Sequence, residues 1–189
     1  MALKILKAHK YFEQAGILEA EVVEWEQFSI KQIYLKLRGD FPKVSWRRLT
    51  CNNSGAPRWI FILYLSICGR LLTKDRLAKW GCIDDVQCPL CEAHDEGCEH
   101  LFFTCNFSKQ IWTSLLKRQG IARQAMNWQQ EIQWALTHAR GRSTNAEIYR
   151  MTLAGSIYHI WKERNTRVFQ GKRRVAAIVV RQIVQEVHC

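Results

Sequence analysis

The sequence predicts a mainly α-helical protein with a small cysteine-rich loop between two helices. Three observations support this fold class. Apolar residues recur three and four positions apart, capping residues and glycines bracket those segments, and only three prolines interrupt the chain. The loop, residues 88–105 (CPLCEAHDEGCEHLFFTC), contains four cysteines and two histidines. With 189 residues and an apolar fraction of 48%, the chain is long enough for one domain or two small ones.

Three helices are predicted before the loop. Residues 28–38 place apolar side chains on one helical face, and the length of the apolar run over residues 58–68 favours a helix there. Thr73 is expected to cap a third helix, which covers residues 74–80 and stops at Gly81.

Four helices are predicted after the loop. Residues that commonly cap helix N-termini open the first three, at Ser108, Asn127 and Thr144. Thr144 matches a capping box with Glu147, three residues later. The fourth helix is amphipathic and covers residues 175–187.

Four residues of the loop have the spacing of a zinc site, C-x2-C-x8-H-x4-C. Cys88 and Cys91 are spaced so that one turn presents two thiolates to a tetrahedral ion, and His100 and Cys105 return from a separate segment. In a reducing compartment such a cluster binds metal more often than it forms disulfides. Four ligands leave no open coordination position, so the sequence predicts one structural zinc ion.

Two further residues of the loop are alternative ligands. Cys98 and His94 both lie within reach of the predicted set by spacing. Their other interpretations are a small apolar filler for Cys98 and a solvated side chain among acids for His94. Among the isolated cysteines elsewhere, Cys51 and Cys68 are interpreted as buried filler.

Charge is distributed unevenly along this chain of net charge +11. Residues 31–80 carry a net +9 and residues 160–189 a net +5, whereas residues 81–105 contain no Lys or Arg and carry a net −6. Nucleic-acid contacts are therefore expected from the basic flanks and not from the loop. The alternative is that these are ordinary solvated helix faces. The candidates are Arg47, Arg48, Arg58, Arg70, Lys74, Arg76 and Lys79 on one side, and the KERNTR and GKRR stretches, with Lys172, Arg173 and Arg174, on the other.

Catalytic and membrane functions find little support. The IDD at residues 83–85 lacks the third carboxylate of a two-metal site and is interpreted as turn residues. No serine-hydrolase elbow, P-loop, zincin helix or dinucleotide fingerprint occurs. No apolar run reaches the about 18 residues of a membrane span, and the N-terminus does not match a secretory signal. We expect a soluble intracellular protein, nuclear or cytoplasmic, that is not an enzyme and does not bind membranes.

Five segments match a known family in order and spacing. They are WRRLT, GAPRWIFILYLSICGRLLTKDRLAKWG, CPLC, CEHLFFTCNFSKQIW and IWKERNTRVF. Together they resemble the zinc-binding domain found downstream of the reverse transcriptase in plant non-LTR (LINE-type) retroelements. The resemblance runs from about Phe28 to Trp112, and the segment IWKERNTRVF is a further, separate similarity. It implies the same four zinc ligands and a role beside a polymerase that copies RNA into DNA.

The resemblance and the residues together predict three regions. These are an N-terminal extension over residues 1–27, a reverse-transcriptase zinc-binding-like domain over 28–120, and a C-terminal helical region over 121–189. We expect a structural-zinc accessory module of a retroelement reverse transcriptase, whose partners are RNA or DNA, or a polymerase domain. The alternatives are a protein-interaction module, docking through its acidic loop and exposed aromatics, and a retroelement relic with no present role.

Overall fold

The computed structural model describes residues 42–188 without a gap. Before them it describes only four helical residues, Lys31, Tyr34, Leu35 and Arg38. The rest of the helix predicted over residues 28–38, and the predicted extension over residues 1–27, lie outside the described residues.

Residues 42–188 form seven α-helices and one π-helix. The α-helices are α1 (Arg47–Cys51), α2 (Pro57–Ile67), α3 (Lys74–Lys79), α4 (Asn106–Arg118), α5 (Trp128–His138), α6 (Thr144–Gln170) and α7 (Ala176–Val187). The π-helix, His100–Thr104, directly precedes α4. This stretch contains no strand, only an isolated antiparallel bridge between Gln87 and Asp95. The predicted fold class is confirmed: the protein is mainly α, and its Cys/His loop lies between α3 and α4.

None of the described helices is both long enough and apolar enough to cross a membrane.

Asn127 caps α5 as predicted. Its side-chain oxygen accepts a hydrogen bond from the Gln130 backbone N–H at 2.9 Å, and the Gln130 side chain accepts one from the Asn127 N–H at 3.3 Å. This reciprocal pair is a capping box, which satisfies two backbone donors that the first turn leaves without helical partners.

Two predicted caps were wrong. The N-cap of α4 is Cys105, three residues before Ser108, because the chain leaves the π-helix there in an extended conformation. Ser108 is buried, and its hydroxyl donates to the Leu101 carbonyl, which ties α4 to the π-helix. The cap of α6 is Ser143, whose hydroxyl accepts from the Ala146 N–H at 3.3 Å, and not Thr144.

The longest helix, α6, is the centre of the apolar core. Helices α2, α4 and α7 pack against it. At the α2–α6–α7 junction, Trp59 and Ile183 are buried on either side of Gly155. A Cβ at residue 155 would lie 3.3 Å from the Trp59 ring, so the missing side chain allows α2 to approach α6 closely.

By its contacts the chain divides into two units, Met1–Val44 and Ser45–Cys189. The predicted boundary between residues 120 and 121 falls inside the second unit, where α4 packs against α6 and α7. The three predicted regions therefore stay a prediction, and all the sites described below lie within the second unit.

Candidate metal centre

A short hairpin presents the first two predicted ligands. We name residues 86–96 the knuckle hairpin. The Cys88 N–H donates to the His94 carbonyl at 2.8 Å, and the Glu92 N–H donates to the Cys88 carbonyl at 2.8 Å. Glu92 has a φ of 56°, a left-handed conformation uncommon for residues other than glycine. This tight turn brings Cys88 and Cys91 to one side of the hairpin.

The π-helix presents the other two predicted ligands, His100 and Cys105. His100 is its first residue and Cys105 follows its last. Between them, Leu101, Phe102 and Phe103 are fully buried in the apolar core. Short π-helical segments occur frequently at functional sites. Here six consecutive residues contain two candidate metal ligands and a segment of the apolar core.

The four predicted ligands meet at one place. The sulfur and ring-nitrogen atoms of Cys88, Cys91, His100 and Cys105 all lie within 4.8 Å of one another. The shortest described approach is 3.2 Å, between Cys91 Sγ and His100 Nε2. Zinc–sulfur bonds of about 2.3 Å and zinc–nitrogen bonds of about 2.0 Å place the donors of a tetrahedral site about 3.5–3.8 Å apart. The cluster is therefore able to hold a metal ion after shifts of about 1 Å or less.

The two buried cysteines shift each other's pKa in opposite directions. The neighbouring Cys105 raises the pKa of the Cys88 thiol, and burial raises it further. Cys88 in turn lowers the pKa of Cys105, and the Ser108 backbone N–H in the first turn of α4 adds to that effect. Cys105 is therefore the more readily ionised of the two, at the N-terminus of α4, where the helix dipole also favours a thiolate.

The surroundings of the imidazole in the cluster favour its neutral form. Burial lowers the pKa of His100 below its ordinary value, and the neighbouring ring of His94 lowers it as well. The two ring centroids are 5.2 Å apart. Only a neutral imidazole coordinates a metal ion, so this environment fits a ligand histidine.

The two alternative ligands lie outside the cluster. Cys98 turns toward α2, where its thiol donates to the Ser66 carbonyl at 3.7 Å, and burial raises its pKa to about 12. His94 is exposed to solvent. Cys51 is exposed at the end of the short helix α1, so its interpretation as buried filler was wrong. Within the described part of the chain, the predicted four form the only cluster of three or more such donors close enough to hold a metal ion.

Two arginines of α6 hold the knuckle hairpin in place. Arg164 binds both carboxylate oxygens of Glu96 at 2.8–3.1 Å, and both residues are buried. Glu96 also accepts from the Lys74 backbone N–H at 2.9 Å, which joins the start of α3 to this ion pair. Arg167 donates to the carbonyls of residues 89–90 at 3.2 and 3.0 Å. These contacts attach the hairpin to α3 and α6.

The interpretation of KERNTR as a basic surface was wrong for these arginines. Arg164 is only 3% exposed, and Arg167 binds the fully buried Glu163 at 3.0 Å. The physical reason is the charge of the loop, because buried carboxylates such as Glu96 require cations from elsewhere in the chain. The sequence signal was the net −6 of residues 81–105 in a segment without Lys or Arg.

The ten basic residues predicted to contact nucleic acid fall into two classes. Four of them form ion pairs: Arg58 with Glu186, Lys74 with Asp85, Arg173 with Glu92, and Arg174 with Glu163. Six form no ion pair with another described residue: Arg47, Arg48, Arg70, Arg76, Lys79 and Lys172. Contact of any of the ten with nucleic acid stays a prediction.

Comparison with known proteins agrees with the geometry of the cluster. Residues 28–112 match the family model described as zinc-binding in reverse transcriptase. The match includes the knuckle hairpin and the π-helix, and the family is a zinc-binding accessory domain, not a catalytic one. No curated protein and no solved structure gave a significant match. Residues 28–112 of the chain are thus similar to the family described as zinc-binding in reverse transcriptase.

Proposed function

We propose that Cys88, Cys91, His100 and Cys105 bind one structural Zn²⁺. The observation that carries this proposal is the convergence of their four donor atoms within 4.8 Å, in a segment that matches a zinc-binding family model. Three thiolates and one imidazole form a donor set typical of closed, structural zinc sites. When bound, zinc would cross-link the knuckle hairpin to the π-helix.

The protein groups around the centre prepare it for this role. Cys105 starts α4, and Glu96 contacts the first residue of α3, so a cross-link between hairpin and π-helix fixes α3 relative to α4. Arg164 and Arg167 bring cations close to a hairpin that zinc coordination would leave negatively charged.

The best-supported role for this module is that of an accessory domain beside a reverse transcriptase. The family match supports it, and the order of the five segments favours a plant non-LTR (LINE-type) element. In this role the chain carries out no catalytic step. It associates with RNA or DNA through basic residues outside the knuckle hairpin, since six of the ten candidates lack an ion pair to another described residue.

A second candidate function is the binding of an acidic protein segment. A groove of about 970 Å³ runs between α4 and α7, with Val180 and Val184 in its lining. Its ionisable lining residues are all cationic, namely Lys109, Arg118 and Arg181. An amphipathic acidic helix, such as one on a polymerase domain, suits this groove. Binding of such a helix should be lost in Val184→Asp. Nucleic-acid binding is recognised instead by an affinity that falls steeply with salt concentration, because it depends on phosphate contacts.

Native mass spectrometry tests the zinc proposal. Protein purified without chelator should carry one zinc ion per chain, and EDTA should remove it. Cys88→Ser should abolish zinc binding, because a site with two thiolates and one imidazole is incomplete. The matched control is Cys98→Ser, which changes a neighbouring cysteine outside the cluster and should retain zinc. A folded, metal-free wild type, or equal zinc loss in both variants, would refute the proposal.

A further inference from the structure

An exposed tryptophan at the end of α3 lies among cations. Trp80 is 58% exposed, although tryptophan is on average a highly buried residue. The guanidinium carbon of Arg76 lies 5.2 Å from the Trp80 ring centroid. Arg76 also donates to the Gly69 carbonyl, which fixes its position beside the ring. Neither Arg76 nor Lys79, one turn along α3, forms an ion pair with a described residue.

A small cavity adjoins this ring. It has a volume of about 340 Å³ and is lined by Trp80, Lys79, Leu71 and the half-buried Cys98. Gly69 lies on its rim, and the exposed Arg70 directly follows in the chain. The surface therefore combines one aromatic face, an apolar wall and three cations.

We propose that this surface, which we name the Trp80 site, binds single-stranded nucleic acid by stacking a base on the indole of Trp80. Arg70 and Lys79 would contact the phosphates on either side of that base. The inference rests on the nucleic-acid association proposed above and specifies how it occurs. Single-strand binding proteins combine the same two elements, aromatic rings that stack bases and a cationic surface that follows the backbone. A duplex keeps its base faces stacked and offers none to Trp80.

One carboxylate in the cavity favours a base over a phosphate. Asp75 lines the cavity, and its Oδ1 is buried without a hydrogen-bond donor among the described residues. The negative charge of the Asp75 carboxylate disfavours a phosphate inside the cavity, whereas the edge of a neutral base carries N–H groups that are compatible with it. Each of the common bases has such a group on its pairing edge, so the Trp80 site should tolerate different sequences.

A second aromatic of equal exposure provides a matched control. Phe61 on α2 is also 58% exposed. The basic residue one turn before it, Arg58, is bound to Glu186 at 3.1 Å. Phe61 is therefore an aromatic ring of the same fractional exposure whose neighbouring cation is already paired, and it does not line the cavity at Trp80.

Fluorescence anisotropy on the zinc-loaded full chain tests the inference. The probes are labelled oligo(U) and oligo(dT) of about 12 nucleotides, a duplex of equal length, and an abasic strand with the same backbone. We expect Trp80→Leu to weaken binding of both single strands about tenfold. Trp80→Phe should retain most of the affinity, and Phe61→Ala should leave it unchanged. The oligo(U) and oligo(dT) arms show whether RNA or DNA is preferred.

The outcomes separate this inference from the broader proposal. If the abasic strand binds as tightly as oligo(U), or if Trp80→Leu binds like wild type, the stacking site is wrong while salt-dependent association stands. If the wild type binds none of the probes at low salt, both are wrong. Three results together support the Trp80 site: Trp80→Leu binds the single strands more weakly than wild type, Trp80→Phe binds them nearly as well as wild type, and Trp80→Leu binds the abasic strand as wild type does.

Discussion

The knuckle hairpin and the α2–α6–α7 junction are held by different forces. At the junction, Trp59, Ile157 and Ile183 are 2% exposed or less, and each buried side chain of this size contributes about 1.5–3 kcal/mol. The hairpin has only Leu90 as a buried aliphatic residue. Its contacts are instead polar, the ion pair of Glu96 and the sulfurs of the cluster. Removing metal or charge should therefore affect the hairpin first and the junction little.

The π-helix connects the two regions. Its residues Leu101, Phe102 and Phe103 belong to the apolar core, while His100 belongs to the cluster. Phe103 packs against Trp112 and Trp128, with ring centroids 5.5 and 5.6 Å apart. A disturbance at the cluster can thus reach α4 and α5 through one short segment. The difference between the two regions predicts that it does not extend to the α2–α6–α7 junction.

Loss of a zinc ligand should have the largest effect. Structural zinc sites contribute on the order of 10 kcal/mol to folding, so Cys88→Ser should lower Tm sharply. Hydrogen exchange read by mass spectrometry should show where stability is lost. Amides of residues 86–96, such as the Cys88 N–H bonded to His94, should lose protection. The middle of α6, around Ile157, should retain much of its protection.

The control for this prediction is Cys82→Ser. Cys82 is exposed and lies outside the cluster, so the change should leave Tm and exchange as in the wild type. Equal protection of residues 86–96 in wild type and Cys88→Ser, in buffer containing zinc, would show that the hairpin does not depend on a metal.

Removal of the buried cation should have the next largest effect. Arg164→Met leaves Glu96 buried without its partner, a change that typically costs about 3–5 kcal/mol. Chemical denaturation of the zinc-saturated protein should measure this loss. Adding Glu96→Gln should recover much of it, because the amide keeps the bond from the Lys74 N–H without a buried charge.

The matched control is a surface pair on the same hairpin. Arg173 binds Glu92 with both side chains more than half exposed, so Arg173→Met should cost about 1 kcal/mol or less. If Arg164→Met lowered the free energy of unfolding as little as Arg173→Met, the hairpin would tolerate an unpaired Glu96. That result would contradict the view that polar contacts hold the hairpin in place.

The longer helices and the four candidate ligands were readable from the sequence because their signals are local. Asn127 lies directly before α5, and Gly171 ends α6 in the left-handed conformation that glycine adopts readily. The C-x2-C pair needs only one turn to bring two sulfurs together. These features depend on neighbours a few residues away, which a single sequence displays.

Contacts between distant residues were not readable. Glu96 and Arg164 lie 68 residues apart, and their pairing requires the packing of α6 behind the hairpin. The cap of α4 was misplaced at Ser108 because nothing local predicts a π-helix that ends at Thr104 and leaves Cys105 extended. Tertiary structure thus determined the role of basic residues whose sequence context alone indicated a solvated surface.

Acid should affect the junction through His159, with a smaller effect than the changes above. His159 is buried against Trp59 with ring centroids 5.9 Å apart, and neither of its ring nitrogens forms a hydrogen bond. Burial lowers its pKa from 6.5 to about 4, although Glu186, 3.4 Å from Nε2, favours the charged form. The folded pKa of His159 lies below the unfolded one, so in acid the unfolded chain takes up a proton before the folded protein does. The contribution of the neutral His159 to the free energy of unfolding is therefore complete above about pH 6.5 and is lost as the pH falls toward about 4.

A comparison of wild type with His159→Leu isolates this group. Leucine does not titrate and forfeits no hydrogen bond, so the variant should lose about 2 kcal/mol less unfolding free energy than wild type between neutral pH and about pH 5. A contribution from the proposed zinc centre is common to both proteins, so it cancels in the difference. Urea titrations at each pH measure it. Parallel pH profiles for the two proteins would mean that His159 is charged or solvated in the folded state, and that the knuckle hairpin alone accounts for the acid sensitivity of the fold.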